Sequence, residues 1–173
     1  MSAGQPRLDD ACHALRGLMP TDALAWYEYL RRDDVTRDTS WTRVTPQRVA
    51  ELIAGYGGPQ GPWRWAIARR ADDALEGTIG FNEVALEHGR AELAFDLSPA
   101  AWGQGLATRA AQAVLRWAFQ ERGLQRVQAT VLDTNLRSRA VLERLGMRCE
   151  GTLSGYRIVR GAPRDFLMYA LRA

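Results

Sequence analysis

The chain has 173 residues, 46% of them apolar and 25% charged, which suits one globular domain with a sizeable core. Net charge is +3, and all 23 basic residues are arginines scattered without a run, so composition argues against nucleic-acid binding. No stretch is long and apolar enough for a membrane span, residues 1–6 lack the character of a signal peptide, and two histidines and two distant cysteines offer no metal-ligand spacing.

A cytoplasmic, metal-free protein with reduced thiols at Cys12 and Cys149 is therefore expected. Thr21-Asp22 opens the first predicted helix with N-cap chemistry. That helix runs through Ala23, Leu24, Trp26, Tyr27 and Leu30 and frays in the charged stretch 31–34. Thr45-Pro46 opens another, with Val49, Leu52 and Ile53 as its apolar stripe and Gly55 as its C-terminal cap. Residues 56–62 read as a Gly/Pro loop. Three strands follow at 63–69, 77–85 and 91–97, with turns at Asp72-Asp73 and Glu87-His88-Gly89. Connections this short favour an antiparallel meander.

Apolar residues at helical spacing place a helix over 106–122, ended by Gly123, and the alternation of 125–132 reads as a strand. Asp133-Thr134-Asn135 caps a further helix with Ala140, Val141, Leu142 and Leu145 facing inward. Gly146 before apolar Met147 reads as a Schellman end. Strands at 148–153 and 164–171 close the sheet. No repeat or linker divides the chain, so 1–173 reads as a single α+β domain with a strand-loop-helix-strand crossover at its centre.

The segment Trp102-Gly103-Gln104-Gly105-Leu106-Ala107 lies at that crossover. Two glycines let backbone approach a ligand closely, and the unpaired N–H groups of an opening helix favour an anion. A P-loop is excluded, because it needs a lysine and the chain has none. A dinucleotide fingerprint would need a third glycine where Thr108 stands, and it would come earlier in the chain. This stretch resembles instead the Q/R-x-x-G-x-G/A cofactor loop of the GNAT superfamily of N-acetyltransferases. Trp102 in the first position resembles the ribosomal-protein N-acetyltransferase branch. Downstream, Asp133-Thr134-Asn135-Leu136-Arg137-Ser138 and Val141-Leu142-Glu143-Arg144-Leu145-Gly146-Met147 are similar to the same branch, as is the opening around Leu15 to Asp22.

The resemblance implies a mixed, mostly antiparallel central sheet flanked by helices, with the crossover binding acetyl-CoA. The N–H groups of Gly103, Gln104, Gly105, Leu106, Ala107 and Thr108 would hold the pyrophosphate. Phe95, Asp96 and Leu97 would pair their backbone with the pantetheine arm, as an added strand does. Asn135 would hydrogen-bond that arm, although it also reads as a plain helix N-cap. The acceptor would be a primary amine, either a peptide or protein N-terminus or a small metabolite or antibiotic. A homodimer is expected by resemblance only.

Acetyl transfer needs the amine in its neutral form, hence a general base. Glu92, on the strand before the loop, is the candidate; it reads equally as a solvated strand carboxylate. Its alternation places it opposite Leu93, Phe95 and Leu97. Many relatives place a tyrosine acid seven residues after the asparagine, but Leu142 stands there and cannot donate a proton. Ser138 is the replacement that the resemblance to the ribosomal-protein branch implies, although it reads equally as a plain first-turn helix serine, and Tyr156 is a distant second candidate. Trp41, in a Thr/Ser-rich loop, is the expected acceptor-pocket residue, while Trp26, Tyr27, Tyr29, Trp63 and Trp65 read as core. Arg109 and Arg157 stand where the branch suggests acids, which points toward anionic or neutral acceptors. Asp165 reads as a strand-edge or turn residue. A non-catalytic acyl-CoA-binding domain would keep Gly103, Gly105 and Asn135 but need neither Glu92 nor Ser138.

Overall fold

Seven strands form one sheet in the order β1-β2-β3-β4-β5-β7-β6 in a computed structural model that describes residues 4–58 and 61–173. The strands are β1 (His13–Gly17), β2 (Arg64–Arg69), β3 (Leu75–Ala85), β4 (Arg90–Leu97), β5 (Arg126–Leu132), β6 (Arg148–Val159) and β7 (Ala162–Arg172). The helices are α1 (Asp22–Leu30), α2 (Asp33–Thr36), α3 (Pro46–Gly55), α4 (Leu106–Gln120) and α5 (Leu136–Arg144). Every strand pair is antiparallel except β4 with β5, which are joined through α4. A parallel pair needs a crossover of this length, and the meander β2–β4 needs only turns.

The period-2 alternation of β2, β3 and β4 sends Trp65, Ile67, Ile79, Phe81, Leu93 and Leu97 to one face. There they pack with the apolar stripe of α4, including Ala110, Val114 and Trp117. The opposite face is covered by α1 and α3, whose own cluster contains Trp26, Tyr29, Leu30, Val49 and Ile53. Burying Leu30 completely contributes roughly 1.5–3 kcal/mol.

Polar side chains hold this second layer to the sheet. Asp96 points to the α1 face, where its carboxylate accepts from Tyr29 Oη at 2.5 Å, Trp26 Nε1 at 3.2 Å and Arg64 Nη2 at 2.7 Å. Thr78 Oγ1 donates to it as well, at 3.0 Å. Burial, then the adjacent Asp96 charge, pushes the Tyr29 phenol well above its ordinary value, so Tyr29 remains a neutral donor.

Several local expectations are corrected. Thr21 makes no side-chain cap; the Asp22 carboxylate accepts from the Met19 N–H instead, at 2.8 Å. The charged stretch after α1 does not simply fray, because Asp33–Thr36 form the separate turn α2. Leu24 points outward and is 65% exposed, since it lies off the stripe of Trp26 and Leu30. Gly55 is the last residue of α3 rather than its cap, and the left-handed residue is Gly57. The strand placed at 148–153 continues to Val159, because a shift in register between Leu153 and Arg157 lets pairing with β7 resume. Residues 59 and 60 of the Gly/Pro loop lie outside the described residues.

Other expectations hold. Thr45 caps α3 by accepting from the Arg48 N–H. Met147 N–H to Leu142 O at 3.1 Å and Gly146 N–H to Glu143 O at 3.0 Å close a Schellman end on α5. Among the described residues no helix is long and apolar enough to cross a membrane.

Candidate active site

The parallel pairing of β4 with β5 stops at Glu92 opposite Gln128, although both strands continue. Beyond that point they diverge and leave a wedge in the middle of the sheet. The Ser98 N–H donates to Glu76 O on the β3 side at 2.8 Å. By alternation, the backbone groups of Asp96 and Ala94 also face β3, while those of Leu93, Phe95 and Leu97 face the wedge. The wedge thus has an unpaired strand edge ready to accept an extended chain. Of the proposed pantetheine-pairing residues, Phe95 presents its backbone there and Leu97 its N–H, the Leu97 carbonyl being taken by Trp102 Nε1. Asp96 does not: its backbone turns to β3 and its side chain to α1.

The glycine loop sits at the top of this edge. Trp102 Nε1 donates to Leu97 O at 3.0 Å, tying the loop to the end of β4, and the Arg137 guanidinium lies 3.9 Å from the Trp102 ring centroid. Gly103 (φ 74°) and Gly105 (φ 70°) are both left-handed, a conformation that costs other residues roughly 1–2 kcal/mol. Gly105 is the N-cap of α4 and makes no side-chain cap. The N–H groups of residues 103–108 have no acceptor among the described residues, and a Cβ at Gly103 would meet nothing within 4 Å. The amides are therefore free and the space above them open, which fits a phosphate-bearing ligand. Leu106 contributes only its backbone, since its side chain is buried in the core. The Gln104 side chain turns back to Ala100 O at 3.0 Å.

Arg109 braces the loop from below. Its Nη1 donates to Gln104 O at 2.7 Å, and its Nε and Nη2 hold the Asp10 carboxylate at 2.8 and 2.7 Å. Its departure from the expected acid is thus explained by a bond to the N-terminal segment, not by the acceptor. Asp10 also accepts from the amides of Cys12 and His13 and from the His13 ring. Burial alone would raise the Asp10 pKa. These donors outweigh it and hold the carboxyl well below the usual range.

In the wedge lies a cavity of about 120 Å³, lined by Glu92, Phe95, Thr130, Ser138, Leu142 and Arg157 among others. A larger hollow between α1 and α3 is open to solvent and distant from these groups. Glu92 is not a solvated carboxylate: its side chain is 8% exposed. Its Oε1 accepts from Thr130 Oγ1 at 2.7 Å and from Arg157 Nη2 at 3.2 Å, while Oε2 has no partner among the described residues. Ser138 lies in the first turn of α5 with its hydroxyl unengaged among the described residues, and its N–H caps onto Asn135 Oδ1 at 3.1 Å. Asn135 is therefore an N-cap. Its Nδ2 also donates to Asp38 O at 3.1 Å, so its amide carries two protein contacts.

Trp41 is not brought into the cavity. Its ring packs edge-on against Trp26 at 6.4 Å, and its neighbours Asp38, Thr39 and Ser40 line the cavity instead. Tyr156 is 44% exposed and meets the cavity-lining Phe166 edge-on at 5.8 Å, without lining the cavity itself. Asp165 accepts from the Gly155 N–H at 2.8 Å and pins the irregular part of β6, the structural role expected of it. Arg157 is on β6 rather than in a loop, and sequence spacing gave no sign that it faces Glu92 across 65 residues of chain.

Two parallel strands splayed around a carboxylate-bearing cavity, with an amide-rich glycine loop above them, define an acyltransferase-type architecture. An acetyltransferase (GNAT) domain model matches residues 14–148. The uncharacterized N-acetyltransferase YoaA of Bacillus subtilis (strain 168) is 32% identical over 162 residues, covering 91% of each chain. A GNAT-family acetyltransferase from Bacillus anthracis has a TM-score of 0.83 at 25% identity, over 96% of this chain and 98% of that one. The ribosomal-protein-S5-alanine acetyltransferase of Vibrio fischeri shares the fold, with a TM-score of 0.82 at 20% identity over 97% of both chains. The chain belongs to the GNAT family and is an N-acetyltransferase.

Proposed function

We infer that this chain moves an acetyl group from acetyl-CoA to a primary amine by direct attack, and that the amine is the N-terminus of a peptide or protein. The observation that carries the reading is the wedge between β4 and β5, with free backbone on one side and free loop amides at its mouth. Acetyl-CoA fits this site by chemistry: a pyrophosphate for the amides of residues 103–108 and an extended amide-bearing arm for the open edge at Phe95 and Leu97.

Bound there, acetyl-CoA supplies an acyl carbon activated as a thioester. Glu92 takes the proton from the attacking amine, directly or through water, at Oε2. A backbone N–H on the open edge of β4 faces the carbonyl oxygen as it gains charge. Ser138 Oγ donates a proton to the departing sulfur and regains one from the acylated nitrogen, which sheds its second proton. Thr130 and Arg157 hold Glu92 in place, and Asn135 fixes the turn that presents Ser138. An α-amine acceptor is supported by the likeness to the Vibrio fischeri enzyme and by the resemblance in residues 102–107 and 133–147.

The test is CoA release from acetyl-CoA with pooled peptides carrying free N-termini, the same peptides with blocked N-termini, and a pool of small amines. Turnover confined to free N-termini supports the reading. Turnover confined to small amines makes the acceptor a metabolite or antibiotic, the reading favoured by the small volume of the cavity.

A further inference from the structure

Among the described residues Arg157 is the one cation lining the cavity, and it reaches there from β6, two strands beyond β5 in the sheet. The register shift between Leu153 and Arg157 is what allows an edge-strand residue to be aimed inward. The two carboxylates that line the cavity are unequal. Asp38 is engaged by Arg37 Nε at 3.3 Å and Thr134 Oγ1 at 3.2 Å. Among the described residues Arg157 is the only charged partner of Glu92.

The Glu92–Arg157 pair is loose. Its 3.2 Å separation, and the 3.3 Å from Arg157 Nη1 to Ser40 Oγ, exceed the usual 2.7–2.9 Å of charge-assisted bonds. The buried Arg64–Asp96 pair, by contrast, closes to 2.7 Å. The Arg157 side chain is 32% exposed, and its Nε has no partner among the described residues. A planar fork with spare donors beside a small cavity is suited to a second carboxylate.

We propose that the acceptor carries a carboxylate within a few bonds of its reacting amine and that Arg157 recognises it. The proposal rests on the amine acetyltransferase reading above. Such an acceptor matches the two charges in the cavity, its ammonium facing Glu92 and its carboxylate facing Arg157. A basic acceptor side chain would instead meet the guanidinium. The incoming carboxylate shares the guanidinium, while Glu92 keeps its Thr130 contact and its open Oε2. One proton then moves from the acceptor nitrogen to the Glu92 carboxylate, freeing the lone pair that forms the new N–C bond as the C–S bond breaks. Arg157 is thus a specificity-determining residue.

The carboxylate has two sources, the α-carboxylate of a free amino acid or the side chain of a first residue Asp or Glu. Two matched pairs distinguish them: alanine against alaninamide, and short peptides beginning with Asp against Asn, each followed by CoA release. The expected result is at least a tenfold higher kcat/KM for the acid in one pair, and the pair that responds identifies the source. Arg157→Gln should abolish that preference by raising KM for the acid, with KM for acetyl-CoA unchanged, and Arg157→Lys should restore part of it. Equal turnover of acid and amide by the native chain in both pairs, or an unchanged preference in Arg157→Gln, would overturn the proposal and leave the amine reading standing. No CoA release with any amine would overturn both. The comparison of acid with amide uses only the native chain, so it holds even where the variants fold poorly.

Discussion

At the residue scale the proposed reaction rests on two side chains that line one small cavity. Glu92 is buried and doubly held on Oε1, which leaves Oε2 without a partner among the described residues and makes it the proposed proton acceptor. Glu92→Gln keeps the shape and removes the basicity. It should lower kcat on the order of 10²-fold at neutral pH, with KM for acetyl-CoA little changed. The loss should shrink as the pH approaches the pKa of the acceptor amine; near-full turnover at every pH would remove Glu92 as the base. Ser138→Ala tests the acid separately, because the cap to Asn135 uses the Ser138 backbone N–H and survives the substitution. It should reduce kcat while leaving thermal stability and both KM values in place, and an unchanged kcat would exclude the hydroxyl. Glu92 was legible as a strand residue opposite the apolar set of β4. That it is buried and paired was not, because its partners Thr130 and Arg157 lie 38 and 65 residues away.

At the scale of the element, the loop entering α4 is where local sequence and function coincide. Gly105 is left-handed, and a Cβ there would come within 3.2 Å of Arg109 Nη1, the group that braces Gln104 O. Gly105→Ala therefore combines backbone strain of about 1–2 kcal/mol with a displaced brace. KM for acetyl-CoA should rise roughly tenfold, with the acceptor KM nearly constant. Isothermal titration with CoA alone would check it, and an unchanged affinity would mean that the loop conformation does not serve the phosphates. The start of α4 was readable from Gly105, but its end falls at Gln120, capped by Glu121, short of the expected Gly123. The end of β6 was not readable, because its continuation past Leu153 depends on where β7 lies.

At the scale of the whole molecule, two polar networks join distant parts of the chain to the site. Asp96 anchors α1 to the sheet directly behind the wedge. Asp96→Asn would leave the buried Arg64 guanidinium without its carboxylate, a loss of roughly 3–5 kcal/mol that chemical denaturation would read directly. Asp10 clamps the N-terminal segment to α4 through Arg109 and to β1 through His13. Its folded-state pKa lies below the unfolded value, so its stabilisation is fully present above about pH 4 and fades as the pH falls toward the folded value. Melting temperature measured from pH 6 down to pH 3 should fall in the native chain. Asp10→Asn should start lower at pH 6 and fall less steeply; parallel curves would show that Asp10 contributes nothing to acid sensitivity.

The meander, the crossover, the capped helix at Asn135 and the glycine loop are local matters of periodicity, turn chemistry and allowed φ, and the residues at those positions determined them. Tertiary structure decided what those elements face. The parting of β4 from β5 beyond Glu92 creates the cavity, and it follows from how two strands far apart in sequence are packed by α4 and α5. Other long-range contacts turned Trp41 onto Trp26 in the α1/α3 cluster, engaged Asn135 with Asp38 and placed Arg157 against Glu92. Each of these contacts spans many residues, and no short-range pattern encodes which two distant side chains will meet.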